Sequence, residues 1–195
     1  MTVFSCFDVE TTSLDAKNGR VIEIAIVKID QNGNLIDEWT TLVGPTPIDI
    51  GRPDIHGIES NWLDSAPHFS QIAGDILHRF EGSIPVAHNA NFDCSFIRAE
   101  WARAGLGDIQ LEAFDTLPLA KEMGFPGRLF ELATALEVDL TNAHEALSDT
   151  LALAGVLVRL IELSGKTINS PIFQPMLFKP EPSGLVEHRP HLEDD

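Results

Sequence analysis

The chain has 195 residues, of which 44% are apolar, and it carries a formal net charge of −17. This length and apolar content are typical of one globular domain with a full core. The acidic balance argues against a broad basic groove for nucleic acid, because phosphate binding draws on clustered cations and the 13 basic residues here are scattered. If the substrate is a nucleic acid, the protein would therefore bind only a short terminal piece of it, or would rely on bound cations and a partner.

The first residues and the apolar runs indicate neither export nor a membrane span. Residues 1–6 have no basic region and lead directly into a strand pattern, which argues against a signal peptide. The longest apolar run, residues 151–161, is too short to cross a bilayer and contains Arg159. Cys6 and Cys94 form no C-x-x-C pair, so we predict two core thiols without a disulfide or zinc site. We expect a cytoplasmic protein that makes no membrane contact.

In chain order, the apolar pattern predicts a sheet that opens with an antiparallel meander. Strands are predicted at residues 2–9, 21–29 and 35–43, and Asn32-Gly33 between the last two is a strong hairpin signal. Prolines predict a loop over residues 44–57. Helical spacing then predicts helices over 72–80, from 92 onward, over 116–123 and over 129–137, with short strands at 84–87 and 113–114. This order predicts an α/β fold with a mixed five-stranded sheet flanked by helices.

The last helix is the clearest in the sequence. Asn142 is its predicted cap, with Glu145 three residues later and Gly165 as the stop signal. We therefore predict a domain over residues 1–165. Residues 166–195 contain many prolines, end in three acidic residues and show little periodicity, so we predict a tail or linker there.

Two carboxylates lie at the end of the first predicted strand. Because side chains alternate across a strand, Asp8 and Glu10 project from one face, with Cα atoms roughly 6 to 7 Å apart. Such a pair is unfavourable unless water or cations neutralise it, and hard divalent cations prefer oxygen ligands. The alternative is an exposed acidic pair on the surface.

Two further carboxylates and a histidine accompany predicted helices. Asp93 falls at a helix start, where the helix dipole favours an anion, and Asp149 is predicted about two turns into the last helix. His144 precedes Asp149 by five residues, which at about 100° per residue would separate the two side chains if both were helical. We therefore predict that His144 lies at the helix entrance. Each residue also has a structural alternative. Asp93 could be an ordinary charge at a helix start, Asp149 an exposed helical carboxylate, and His144 a capping or surface histidine.

Three segments in this order resemble the motifs of the DnaQ-like (DEDDh) 3′–5′ exonucleases. They are FDVETTSL at residues 7–14, HNANFD at 88–93 and HEALSD at 144–149, supported by IHGI at 55–58 and FDTL at 114–117. The resemblance covers about residues 2–162 and implies a ribonuclease H-like fold. It extends to proofreading epsilon subunits of bacterial DNA polymerase III, to stand-alone DNA exonucleases and to oligoribonucleases. Two departures are Ser13, where relatives commonly have glycine, and the segment at 127–132.

The resemblance implies a role for each member of the acidic set. Asp8 would bridge two Mg²⁺ or Mn²⁺ ions, Glu10 and Asp149 would complete one ion site, and Asp93 would hold the other, directly or through water. His144 would act as the base, a role that suits a side chain whose ordinary pKa lies near neutrality.

The resemblance also nominates contacts for the terminal nucleotide. These are Thr11, Thr12, an apolar wedge at Leu14, His56 and Asn89. The alternative for His56 is a histidine that only pins its own loop.

The predicted function is removal of nucleoside 5′-monophosphates from the 3′ end of single-stranded DNA, in proofreading or repair. RNA trimming is an alternative, because the motifs bind metal and phosphate without reading the sugar. A non-catalytic scaffold module on the same fold is a third interpretation.

Two protein partners are also predicted. One is a DNA polymerase catalytic subunit. The other is the sliding clamp, because Gln174 to Phe178 resembles the short peptides by which bacterial replication proteins bind it. The alternative is that the apolar residues of this segment pack back onto the domain.

Overall fold

The computed structural model describes residues 2–44, 49–140, 144–174 and 176–190. Its single described sheet has the strand order β3-β2-β1-β4-β5, with β1 (Val3–Thr11), β2 (Val21–Asp30), β3 (Leu35–Leu42), β4 (Ile84–Ala87) and β5 (Phe114–Asp115). The first three strands are antiparallel, and β4 and β5 extend the sheet in parallel from β1. The predicted meander and mixed five-stranded sheet are therefore confirmed.

The described helices are α1 (Pro53–His56), α2 (Phe69–Phe80), α3 (Asn91–Arg103), α4 (Thr116–Glu122), α5 (Leu129–Ala135) and α6 (Ala146–Ser164), with a 3-10 turn at Ser60–Leu63. The loop prediction over 44–57 is wrong at α1. Pro53 starts this helix, where its missing N–H is not needed, and Gly57 ends it with a left-handed φ of 68°. Pro45 and Pro47, which also supported the loop, lie outside the described residues.

The two faces of β1 enter different packing layers. Phe7 lies in a buried cluster with Phe80 of α2 and Trp101 of α3. Cys6 faces the other way and packs with Leu157 of α6. Because side chains alternate, Asp8 and Glu10 continue the face of Cys6, the one that α6 covers.

Helix α6 begins later than the sequence pattern suggests. Its first residue is Ala146, and Asn142, the predicted cap, lies outside the described residues. Asp149 is therefore in the first turn of α6, so its predicted position two turns into the helix is wrong. Gly165 ends the helix as predicted, in the left-handed conformation at φ 64°. No helix in the described ranges has both the length and the apolar content needed to cross a membrane.

Residues beyond 165 make specific contacts with the rest of the chain. Phe173 is buried against Phe80 and Trp101, and its backbone exchanges hydrogen bonds with residues 82 and 83. In the predicted clamp-binding segment, Leu177 and Phe178 are 95% and 90% exposed. These two side chains do not pack back onto the domain, whereas Met176 of the same segment packs against the core, and Pro175 lies outside the described residues. The division of the chain at residue 165 stays a prediction.

Candidate active site

The carboxylate of Asp93, from helix α3, lies beside the end of β1. β1 pairs with β4 only over Phe4–Cys6, so no strand among the described residues pairs with the part of β1 that follows on that side. The backbone N–H of Val9 instead donates to Oδ1 of Asp93, at 3.2 Å. Asp93 is buried in the first turn of α3. This bond places Asp93 next to the strand residue between Asp8 and Glu10.

The first turn of α6 brings a fourth carboxylate and the histidine to the same place. One side-chain ligand atom each from Glu10, His144 and Asp149 lies within 4.8 Å of the other two. His144 precedes the helix, as predicted, with a positive φ of 69°. Its backbone N–H donates to Oδ2 of Asp149 at 3.2 Å. Oδ1 of Asp149 is buried and has no hydrogen-bond partner among the described residues.

The electrostatics of this cluster favour bound cations. Burial, reinforced first by the carboxylates of Asp93 and Glu10, raises the pKa of Asp8 well above its ordinary range. Burial, and then the charge of Glu23, raises the pKa of Glu10 to about 8. Burial also raises the pKa of Asp93 to about 7 and raises that of Asp149. Adjacent carboxylates with limited access to water are unfavourable as anions unless opposite charge is present, and carboxylate oxygens such as these suit divalent cations.

The last residue of β1 and the turn after it carry three of the predicted substrate contacts. The hydroxyl of Thr11 donates to the carbonyl of Ser13, and that of Thr12 accepts from the backbone N–H of Arg20. Leu14 is 90% exposed. Ser13 does not have a positive φ, so replacing the glycine common in relatives introduces no backbone strain here.

His56 is more enclosed than a free substrate contact would be. Its Nδ1 accepts from the backbone N–H of Ile58 at 3.0 Å, so Nε2 carries the proton and donates to the carbonyl of Ile50 at 3.1 Å. Burial lowers the pKa of His56. These bonds match the alternative in which the ring pins its loop, and the predicted substrate contact would require the ring to release one of them.

The second motif, residues 88–93, is tied to neighbouring segments by hydrogen bonds of the Asn89 backbone and the His88 ring. Asn89 is exposed and has a positive φ of 67°, and its N–H donates to Oδ1 of Asp115 at 2.9 Å. His88 bonds the hydroxyl of Thr116 through Nδ1 and the carbonyl of Gly127 through Nε2. The segment at 127–132 that departs from relatives is thus attached to the motif through a backbone carbonyl, which does not require a particular side chain.

Sequence reasoning missed two residues beside the cluster. Glu23 on β2 lies directly opposite Glu10, and it is the only charged residue in the run of residues 21–27. Arg189, from the predicted tail, forms a two-pronged ion pair with Glu23 at 2.7 and 2.8 Å. The isolated charge in an apolar strand was a usable signal for Glu23. Nothing in the sequence pattern indicates Arg189.

An exonuclease family model (RNase_T) matches residues 5–157. The chain belongs to this exonuclease family. It is 35% identical over 155 residues to the DNA polymerase III subunit epsilon of Treponema pallidum, covering 75% of this chain and 70% of that protein. It is 34% identical over 163 residues to the PolC-type DNA polymerase III of Caldanaerobacter subterraneus, covering 82% of this chain but only 12% of that protein. The chain thus spans a small part of the PolC-type relatives.

Solved structures agree with this assignment. Exonuclease X in complex with 5′-overhanging duplex DNA superposes with a TM-score of 0.66 at 26% identity, over 86% of this chain and 95% of that one. Escherichia coli exonuclease I with a dT13 oligonucleotide gives 0.69 at 19% identity, over 83% and 41%, which supports the fold alone. The predicted DnaQ-like membership, ribonuclease H-like fold and 3′–5′ exonuclease class are confirmed.

Proposed function

We propose that this protein hydrolyses terminal phosphodiester bonds at the 3′ end of single-stranded DNA and releases nucleoside 5′-monophosphates. Asp8, Glu10, Asp93 and Asp149 would hold two Mg²⁺ or Mn²⁺ ions, and His144 would act as the base. The observation that carries the proposal is the convergence of Glu10, His144 and Asp149 within 4.8 Å, with a buried oxygen of Asp149 that has no hydrogen-bond partner in the described part of the chain.

Each protein group has a role that follows from its position. When bound, the two divalent cations would supply positive charge that stabilises the attacking and leaving oxygens of an in-line displacement. His144 is exposed and its ring stands beside Glu10 and Asp149, so it can accept a proton from the attacking water. The hydrogen bond from its backbone to Asp149 keeps the base in register with the carboxylates.

The 3′ end of the DNA would be bound by residues close to the proposed metal site. Leu14 projects almost fully into solvent from the turn that follows Glu10, where it can insert beside a terminal base. Thr11, Thr12 and Asn89 would offer polar groups to the terminal nucleotide. With a net charge of −17, the chain would rely on its cations to hold one or two terminal phosphates while a partner holds the remaining strand.

A polymerase is the partner that the relatives suggest. The Treponema pallidum relative is named a subunit of DNA polymerase III, and the Caldanaerobacter relative is itself a DNA polymerase III. An exonuclease beside a polymerase would receive single-stranded 3′ ends when a terminal mismatch frays, which corresponds to proofreading.

The direct test uses 5′-labelled oligonucleotides with Mn²⁺. We expect stepwise shortening from the 3′ end and 5′-monophosphate products, with faster turnover on single strands and mismatched ends than on matched duplex. Asp149→Asn should abolish turnover, whereas Glu162→Gln, an exposed carboxylate on the same helix, should leave it within about twofold. Faster turnover of a short RNA of the same sequence would instead indicate an exoribonuclease. Full activity of Asp149→Asn would overturn the assigned site.

The segment from Gln174 to Phe178 supports a second partner. Leu177 and Phe178 are adjacent and almost fully exposed, as a peptide that inserts apolar side chains into another protein would require. We expect Leu177→Ala/Phe178→Ala to weaken binding to a purified bacterial sliding clamp by about tenfold or more, since buried apolar anchors dominate such contacts. Leu163→Ala, another exposed leucine, is the control. Unchanged binding of the double variant would exclude this contact.

A further inference from the structure

Arg189 connects three segments that border the active site. Its side chain is 17% exposed, and its Nε and Nη2 donate to the two carboxylate oxygens of Glu23. Nη1 donates to the carbonyl of His56 at 2.8 Å, and Nη2 also donates to the carbonyl of His144 at 3.1 Å. A planar guanidinium with five donors can make this set of bonds, whereas a lysine ammonium offers a single point charge.

Glu23 needs such a partner because of where β2 places it. It lies opposite Glu10 in the antiparallel pair of β1 and β2, with a side chain only 4% exposed. Like charges directly opposite each other destabilise a sheet, and a buried carboxylate without a counter-ion is strongly unfavourable. Glu23 also accepts the backbone N–H of Ala146, the first residue of α6, at 3.0 Å. The Arg189–Glu23 pair therefore sits at the start of the helix that carries Asp149.

Hydrogen bonds hold both the backbone N–H and the backbone carbonyl of His144. Its φ of 69° is a conformation that residues with a side chain rarely adopt, so surrounding contacts have to maintain it. The N–H is held by Asp149 and the carbonyl by Arg189. The Arg189 bond fixes the peptide that follows His144, and with it the direction in which the ring leaves the backbone.

The segment that delivers Arg189 is itself attached to the domain. The carbonyl of Glu187 accepts from the backbone N–H of Leu42 at 2.7 Å, and its N–H donates to the hydroxyl of Thr41. Earlier in the segment, two backbone N–H groups donate to the buried carboxylate of Asp75. The arginine therefore arrives on an ordered backbone.

We propose that Arg189 is a positioning residue for the exonuclease reaction, which neutralises Glu23 and holds the backbone of His144 so that its ring faces the reacting water. The inference rests on the proposed role of His144 as the base. It assigns to the segment beyond residue 182 a part in completing the active site, without contact between Arg189 and the substrate.

The test compares variants of the full chain at saturating Mn²⁺ on one single-stranded DNA. Arg189→Ala should lower kcat by about 10- to 100-fold with KM little changed, because a misplaced base loses part of the 10²- to 10⁴-fold that general-base catalysis supplies. Arg189→Lys should recover part of the loss. Arg159→Ala, which breaks an exposed pair on α6, should stay within about twofold of wild type.

A double-mutant cycle separates positioning from a merely structural role. If Arg189 acts through His144, His144→Ala/Arg189→Ala should be no slower than His144→Ala alone, whereas independent effects would multiply. Glu23→Gln/Arg189→Met removes both charges of the buried pair, so it should fold even if Arg189→Ala does not, and its kcat should remain low. Multiplicative losses in the cycle, or wild-type kcat in Glu23→Gln/Arg189→Met, would overturn the inference.

The same experiment distinguishes this inference from the proposed function. If His144→Ala keeps full activity, the assignment of the base is wrong whatever Arg189 does. If His144→Ala loses activity while Arg189→Ala is fully active, the base assignment stands and only the positioning role fails.

Discussion

The two faces of β1 have different roles, since one packs into the apolar core and the other carries the acidic cluster. Phe7 and Val9 point into an apolar layer where Phe7 is fully buried and packs edge-on against Phe80, with ring centroids 4.9 Å apart. Asp8 and Glu10 point towards α6, where burial raises the pKa of both. Neighbouring residues of one strand thus stabilise the fold on one side and hold unfavourable charge on the other. The difference shows that the site depends on stability supplied by the opposite face.

The largest expected effect concerns the charged face. Asp8→Asn should lower turnover by about 10³-fold or more, the scale on which loss of a central catalytic group acts. In metal-free buffer its thermal unfolding temperature should equal or exceed that of wild type, because one buried like charge is removed. Turnover and the thermal unfolding temperature, measured on one preparation of the variant, check the predicted loss of activity and the predicted stability. A variant that lost activity only by unfolding would contradict the division between the faces.

The opposite substitution on the apolar face should give the opposite result. Phe7→Ala should lower the free energy of unfolding by about 3 to 5 kcal/mol, the usual range for a buried phenylalanine. Denaturant unfolding measures it, with Phe7→Leu as the milder control that retains most of the volume. At a temperature where Phe7→Leu is folded, its kcat should be close to that of wild type. A large loss of kcat in folded Phe7→Leu would show that the faces are coupled.

The charged face also predicts how stability depends on pH. The pKa of Glu10 is raised from 4.5 to about 8, and that of Asp93 from 3.8 to about 7. Across these windows the folded protein holds protons that the unfolded chain has released, so without metal the free energy of unfolding should fall as pH rises.

Added Mn²⁺ should oppose this trend, because it binds the deprotonated carboxylates and its affinity rises with pH. Thermal unfolding between pH 5 and 8, about the span of these titrations, checks this with and without Mn²⁺. Glu10→Gln should flatten part of the metal-free slope. A metal-free protein that became more stable with rising pH would contradict the assigned shifts.

The smallest expected effect lies at the edge of the site. Leu14→Ala should raise KM by about three- to tenfold with kcat nearly unchanged, since covering part of a leucine is worth about 1 kcal/mol. Steady-state kinetics on single-stranded DNA measures it, and Leu163→Ala controls for loss of an exposed leucine elsewhere. Equal KM for both variants would remove Leu14 from the substrate contacts.

Local patterns located the sheet and most of the acidic cluster. β4 was predicted at its observed bounds, Ile84–Ala87. The spacing of His144 and Asp149 correctly placed the histidine before α6, since helical geometry forbids both side chains from facing one point. The start of α6 was misplaced because Asn142 and Glu145 match a capping-box pair, whereas the helix begins after Glu145, whose side chain makes no capping hydrogen bond. The short helix α1 was missed because proline is also a good first residue of a helix.

The sequence by itself determined the alternation that puts Asp8 and Glu10 on one face, the order of the motifs and the family. Those features are local or recur along the chain, so they survive without knowledge of distant contacts. Only the tertiary structure decided that Asp93 satisfies the N–H of Val9, that Glu23 faces Glu10, and that Arg189 reaches His144. Arg189 is 45 residues from His144 along the chain, and its bonds go to a buried carboxylate and two backbone carbonyls. Backbone carbonyls are present at every residue, so no sequence pattern could indicate which of them an arginine would bind.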